Sequence, residues 1–264
     1  MTFPSLDPYN RGVVRAVGAL VLGFAVALAA GAFASDSRRA VEAFVGRLAG
    51  ARVTDLTITQ TLTIYQPDGR HPQSTRELQV YFKPPKRRRV EQTMGAQREV
   101  HLTVGDRAWV RHGDGQVDEV PRERGERDRW HLCAGLPRSA GDLLAEWRAL
   151  GVRDDVSHVV QVRGRPITVI GAGPGDRVSP SVWVDQEYGV VRLITPERPS
   201  RRSELVDHAC SEHRPLLNGL YFPYHQELFG KGGKLLFRII VRQVGLNGNL
   251  PDALFDPEAL RRGG

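Results

Sequence analysis

The chain has 264 residues, a formal charge of +7, 41% hydrophobic residues and only 7% aromatics. That length supports one sizeable domain behind a leader segment and is too short for two comfortable ones. Neither a low-complexity tract nor a repeat at a fixed period is present, which excludes fibrous and solenoid architectures.

Residues 1–34 read as an export signal. Arg11 and Arg15 give the positive start, Ala16 to Gly31 is apolar and uncharged, and Ala32-Phe33-Ala34 fits a small-x-small cleavage site. The mature chain would start at Ser35. The alternative is an uncleaved anchor to the inner membrane through residues 12–34. Either way residues 35–264 are expected outside the cytoplasm, in the periplasm, as a single domain. Loss of Asp7, Arg11 and Arg15 lowers the charge by one. The remaining positive charge suits an anionic membrane surface or an acidic partner, and the compartment excludes nucleic acid.

From Asp36 to Leu48, Ala40, Val41, Phe44, Val45 and Leu48 recur at helical spacing, with Gly50 as the stop. A period of two then takes over. Leu56, Ile58, Leu62 and Ile64 alternate with Thr57, Thr59, Thr61 and Thr63, interrupted only by Gln60. Leu78, Val80 and Phe82 follow, and then Val100, Leu102 and Val104. This is the pattern of neighbouring antiparallel strands with one greasy and one wet face. Turn residues separate them: Pro67-Asp68-Gly69, Pro84-Pro85, Gly105-Asp106 and Gly113-Asp114-Gly115. Strands are predicted at 53–65, 74–83, 87–94, 98–104, 107–112 and 116–121.

A charged insertion near 122–135 interrupts the pattern and reads as a solvated loop. A second helix is predicted at 139–150, with Leu143, Leu144, Trp147 and Leu150 on one face and Gly151 as its stop. Strands resume at 156–163, 165–171, 180–186 and 189–195. Residues 196–216 read as polar and irregular. Two last strands, 219–228 and 234–244, flank Gly230-Lys231-Gly232-Gly233, and a helical turn closes the chain at 257–261. The fold class is mainly β (α+β), a strongly curved antiparallel sheet of about eleven strands. Two short helices cannot cover so wide a face, which leaves a greasy concavity that either fills itself or holds something hydrophobic.

The order of these elements resembles the periplasmic carriers of outer-membrane lipoproteins, the LolA-like family. Leu78 to Lys86 resembles the family's strand-then-proline joint. Val104-Gly105-Asp106-Arg107-Ala108-Trp109-Val110 and Val182-Trp183-Val184-Asp185 with Gly189-Val190-Val191 resemble its two hairpins. Val244 to Pro257, with Asn247, Leu250-Pro251-Asp252 and Leu254-Phe255-Asp256-Pro257, resembles its closing segment. The resemblance implies that the sheet forms an open, incomplete barrel with two or three helices as a lid. It also implies that the chain is a non-enzymatic carrier that holds acyl chains of lipids or lipoproteins in the concavity and shuttles them through the periplasm. It implies no cofactor. One departure is Pro84, after Lys83, where the family has an arginine tied to lid control.

Leu56, Ile58, Leu62, Ile64, Leu78, Val80 and Phe82 are the candidate cavity lining. Trp109 and Trp183 stand beside hairpin turns and either pack in the core or line the mouth of the cavity. Trp147 lies on the apolar underside of the second helix, and all three are candidates for the same lining. The basic run Lys83, Lys86, Arg87, Arg88 and Arg89 is either a solvated edge or a surface for anionic headgroups or an acidic partner. Cys133 and Cys210 are a candidate disulfide for an exported chain; free thiols and a zinc site with neighbouring histidines are the alternatives. Gly171-Ala172-Gly173-Pro174-Gly175 precedes no helix pattern and so reads as a turn rather than a phosphate loop. No acid/base pair or serine–histidine arrangement is evident. The expected partners are acyl lipid or lipoprotein cargo and a membrane-protein donor or receptor, met by a monomer. The alternative function is a lipid- or lipoprotein-sensing regulatory module of the same fold.

Overall fold

The computed structural model describes residues 37–47, 49–121, 139–197, 204–217 and 219–263. Residues 1–34, expected to be an export signal or anchor, and the charged stretch expected near 122–135, with His131 and Cys133, lie outside them.

Helix α1 (37–47) precedes six strands, β1 (Leu56–Tyr65), β2 (Pro72–Lys83), β3 (Arg87–Met94), β4 (Gln97–Val104), β5 (Arg107–Arg111) and β6 (Val117–Val120). Helix α2 (Ala140–Ala149) leads to seven more. These are β7 (Ser157–Val162), β8 (Arg165–Ile170), β9 (Ser181–Asp185), β10 (Gly189–Pro196), β11 (Leu205–Pro215), β12 (Tyr221–Phe229) and β13 (Leu235–Leu246). A 3-10 turn (Asp252–Phe255) and the short helix α3 (Pro257–Arg261) close the chain.

All thirteen strands form one open antiparallel sheet in the order β6-β5-β4-β3-β2-β1-β13-β12-β11-β10-β9-β8-β7. The first and last strands pair at its centre, and β6 and β7, consecutive in sequence, form opposite edges. The α2 helix, in the connection between those edges, packs on the same sheet face as α1. Buried residues from β3 through to β8 share one cluster with the two helices. Laid flat, these neighbouring strands would span about 38 Å at about 4.8 Å per step, more than two helices of about 10 Å each can cover. The sheet therefore curls around the helix pair.

Register explains the lining. Leu56 opposes Phe82, Ile58 opposes Val80 and Gln60 opposes Leu78 between β1 and β2, so the even positions share the helix-covered inner face. Val80 opposes Val90, which opposes His101. Leu102 instead opposes Arg89, which opposes Tyr81, so it stands on the outer face. The sheet thus has two greasy faces, not one. The second is smaller, with Val100, Leu102 and Trp109 buried beneath Phe255 and Leu260 of the C-terminal segment.

Residues 205–215, expected to be irregular, form β11, paired with β10 and β12. Their inward positions are Val206, His208 and Cys210, so the alternation is real but chemically muted. Among the described residues no helix is long and apolar enough to cross a membrane.

Candidate functional site

The inner face is built by the two helices against the curled sheet. On α1, Arg38 and Glu42 pair on the exposed side at 2.8 Å, while Val41 and Phe44 are buried against the sheet. The Ser139 hydroxyl caps α2, accepting from the Asp142 N–H at 3.0 Å and donating to its carboxylate at 2.6 Å. Leu143, Leu144 and Trp147 form the buried stripe of α2. At its end Gly151 takes a φ of 85°, and the Val152 N–H donates to the Trp147 carbonyl at 3.0 Å.

One cover sits on a glycine. A Cβ on Gly189, whose φ is 88°, would lie 2.7 Å from two ring carbons of Phe44. The sheet backbone is thus bare where α1 docks. A Cβ on Gly171, φ 104° and just past β8, would instead meet the Pro180 carbonyl oxygen most closely, with Cγ1 of Val152 at 2.7 Å. Sequence reading misses the Gly189 seat, because that glycine serves a contact distant in sequence.

Leu56, Ile58, Leu78, Val80, Phe82 and Trp147 meet in one buried cluster. Leu62 packs at its margin, and half-buried Ile64 falls outside it. Trp109 belongs to the outer cluster beneath the C-terminal segment. Trp183 stands between inward-facing Val182 and Val184, with the Arg192 guanidinium 5.0 Å from its ring centre. Neither tryptophan joins the helix-covered group. In its middle a buried polar pair interrupts the apolar lining: His208 Nε2 and Gln226 Oε1 are 3.2 Å apart. Beside α1 a cleft of about 530 Å³ remains, bounded by Ala40, Ala43, Ser157, Val159 and Thr168. Gln186 spans it, donating to the Ala40 carbonyl at 3.3 Å. Val159, on edge strand β7, is 62% exposed there.

The basic run is largely committed to holding the C-terminal segment. Lys83 Nζ donates to the Leu250 carbonyl at 3.0 Å and to Asp252 at 2.6 Å, and Arg87 donates to the same carboxylate at 2.8 Å. Lys83 and Arg87 together hold the Asp252 carboxyl below its usual range. Arg89 is buried, pairing with Glu91 at 2.7 Å and donating to the Leu254 carbonyl at 3.3 Å. Arg88 shares the inner face with its partner Phe82. Only Lys86, 3.7 Å from Asp106, projects into solvent with most of its side chain exposed. Further along the same segment, buried Asp55 accepts from the N–H groups of Gly248 and Leu250 at 2.7 and 3.3 Å. Asn247 accepts from the Thr54 N–H at 2.8 Å.

Cys210 is buried on the inner face, in a regular strand rather than an adjustable loop. His213 lies on the other side of β11, its ring stacked on Tyr188 at 5.0 Å, so it does not join His208 and Cys210. Among the described residues no group of three or more His, Cys, Asp or Glu side chains is arranged to hold a metal ion. Burial, reinforced by the Arg165 charge and opposed by Asp185, pushes His213 down to about 4. An unfolded histidine titrates near 6.5, so between those values the unfolded chain binds the extra proton. Stability should fall by about 2–3 kcal/mol as pH drops from about 6.5 to about 4. In urea titrations across that range, His213→Phe should flatten the slope; an unchanged slope would exclude His213 as its source.

No family model matches the sequence, and no curated protein does. Solved structures do. A domain described as an outer-membrane lipoprotein-sorting protein, from Vibrio parahaemolyticus, is 12% identical with a TM-score of 0.55, over 86% of this chain and 100% of that one. A DUF1329 family protein from Desulfovibrio piger is 13% identical with a TM-score of 0.57, over 86% and 99%. A LolA superfamily protein from Nitrosomonas europaea is 15% identical with a TM-score of 0.51, over 81% and 97%. Likeness at this identity shows the fold: the chain has a LolA-like fold.

Proposed function

We propose that the chain is a non-enzymatic, extracytoplasmic carrier that shields acyl chains of lipids or lipoproteins between the inner sheet face and its two helices. The observation that carries this reading is that a single curled sheet has its greasy face covered by two separate helices, with α1 seated on the bare backbone of Gly189. The covers pack mainly through apolar side chains, with the Gln186–Ala40 hydrogen bond as a polar tie on α1. A cover can therefore be exchanged for another apolar group at modest net cost. Each buried methylene contributes about 0.8 kcal/mol, so acyl chains need no polar clamp. The cleft beside α1, about 530 Å³, falls within the range of small-ligand pockets and marks where entry would begin. The LolA-like fold supports the same reading. On it, residues 1–34 act as the export signal of a single domain at 35–264. Cargo would pass between a membrane-protein donor and receptor, with the exposed ammonium of Lys86 meeting anionic headgroups.

Native mass spectrometry of the chain from a membrane-containing host, followed by lipid extraction, tests this directly. Bound acyl lipid or lipopeptide is expected. A clean apo mass that added lipid does not change would sink the carrier. The same spectrum reports the proposed Cys133–Cys210 disulfide by the loss of two hydrogens.

A further inference from the structure

Beyond Val90 the inner face turns from apolar to polar without leaving the sheet. Arg76 stands opposite Leu62, and Gln92 stands opposite buried Leu78. Gln92 in turn faces Glu99 across β3 and β4. Arg76 Nη1 donates to Gln92 Oε1 at 3.1 Å, and Gln92 Nε2 donates to Glu99 Oε1 at 2.6 Å. His101 Nε2 also contacts Glu99 Oε1. His112 Nδ1 stays 3.9 Å from the second Glu99 oxygen, while its Nε2 pairs with Asp118 at 3.1 Å.

Cross-strand pairing alone would account for a ladder of this kind. Two features go beyond it. Arg76 Nε is buried and meets no hydrogen-bond partner among the described residues, a costly arrangement for a charged donor. The ladder also borders an open cleft of about 640 Å³, with Met94 44% exposed on its wall. That cleft adjoins the apolar lining directly through the Leu62–Arg76 and Leu78–Gln92 pairs.

We propose that this cleft is a headgroup subsite at the end of the acyl concavity, taking a zwitterionic headgroup with Arg76 toward its phosphodiester and Glu99 toward its amine. This rests on reading the concavity as an acyl site. The charges select the headgroup class. A purely anionic group would face Glu99 and Asp114, and a purely cationic one would face Arg76 and Arg98, the latter already paired with Glu91 at 2.6 Å. A headgroup carrying both charges meets an opposite charge at each end.

The test loads the full chain from vesicles with three lipids of identical oleoyl chains: phosphatidylethanolamine, phosphatidylglycerol and diacylglycerol. Bound lipid is quantified after extraction. Total uptake reads the acyl site and the ratio reads the subsite. The wild type should prefer phosphatidylethanolamine over each of the others about tenfold, since one charge-assisted bond contributes roughly that factor. Glu99→Gln should bring the preference over phosphatidylglycerol, which lacks the amine, below twofold. Arg76→Gln, which removes the partner of the phosphodiester that both phospholipids share, should cut the preference over diacylglycerol severalfold, with Arg76→Lys intermediate. Diacylglycerol uptake by each variant shows whether its concavity is folded, and a variant that loses it is replaced by the other. Equal uptake of all three lipids by the wild type would overturn the subsite while leaving the carrier intact. A preference over phosphatidylglycerol unchanged by Glu99→Gln, or a preference over diacylglycerol unchanged by Arg76→Gln, would also overturn it. Should no lipid bind at all, the acyl reading fails, and soluble glycerophosphoethanolamine then tests the cleft by calorimetry. Heat that disappears in Arg76→Gln supports the subsite on its own, and no heat overturns it.

Discussion

Gly189→Ala is expected to loosen α1 from the sheet. The new Cβ would stand 2.7 Å from Cε2 and Cζ of Phe44, inside contact distance, at a φ of 88° that an alanine adopts only under strain. Phe44 is 3% exposed and close-packed in the core, so its ring yields chiefly by α1 shifting with it. The backbone strain costs about 1 kcal/mol, and losing much of the Phe44 burial costs about 1.5–3 more. A total near 2–4 kcal/mol should appear as a lower denaturation midpoint and as faster amide exchange confined to 37–47. The double mutant with Phe44→Ala separates the two contributions. With the ring gone, Gly189→Ala should cost only the strain. Strict additivity of the two substitutions would show that Phe44 does not rest on Gly189. On the carrier reading the same substitution favours the uncovered state. Each 1.4 kcal/mol taken from the closed form multiplies the open population about tenfold, so lipid uptake should speed up as stability falls.

That seat was not legible in the sequence, although the helix and the strand it joins were. The 41/44/45 spacing announces α1, and the Trp183 hairpin announces Gly189 as a turn glycine. Nothing local says that a ring 145 residues earlier lies on it. The same limit applies to the sheet. Strand β1 declares its inner face, because Leu56 and Ile58 alternate with threonines. Strand β4 alternates just as clearly, yet Leu102 faces the other way, because pairing with Arg89 rather than Val90 is fixed by the β3–β4 turn. The basic run shows the difference most plainly. Five positive charges in seven positions look like a solvated patch until Asp252 and the Leu250 and Leu254 carbonyls arrive from the far end of the chain. The closing segment was legible as a motif, but its partners Asp55, Lys83 and Arg87 were not. For β11 the obstacle was chemical. His208 and Cys210 occupy inward positions that a strand detector expects to be aliphatic.

Trp147→Ala is expected to have the largest effect on stability. Its side chain is 1% exposed and lies at the junction of α2 with the β-sheet lining. Truncation removes a large indole from a packed site, and tryptophan-to-alanine changes of this kind cost about 3–5 kcal/mol because the surroundings collapse only partly. Trp147→Phe should cost much less, within about 1.5 kcal/mol. The indole Nε1 is buried without a partner among the described residues, so phenylalanine removes an unsatisfied donor along with some contact area. Chemical denaturation of both variants checks this order. If phenylalanine proved as damaging as alanine, the indole nitrogen would have a partner that matters. The carrier reading adds a second expectation. The void left by Trp147→Ala lies on the face proposed to hold acyl chains, so added lipid should restore its midpoint more than it raises that of the wild type. A hydrophobic core with no cargo would gain nothing, and equal small shifts in both proteins would favour a self-filled sheet.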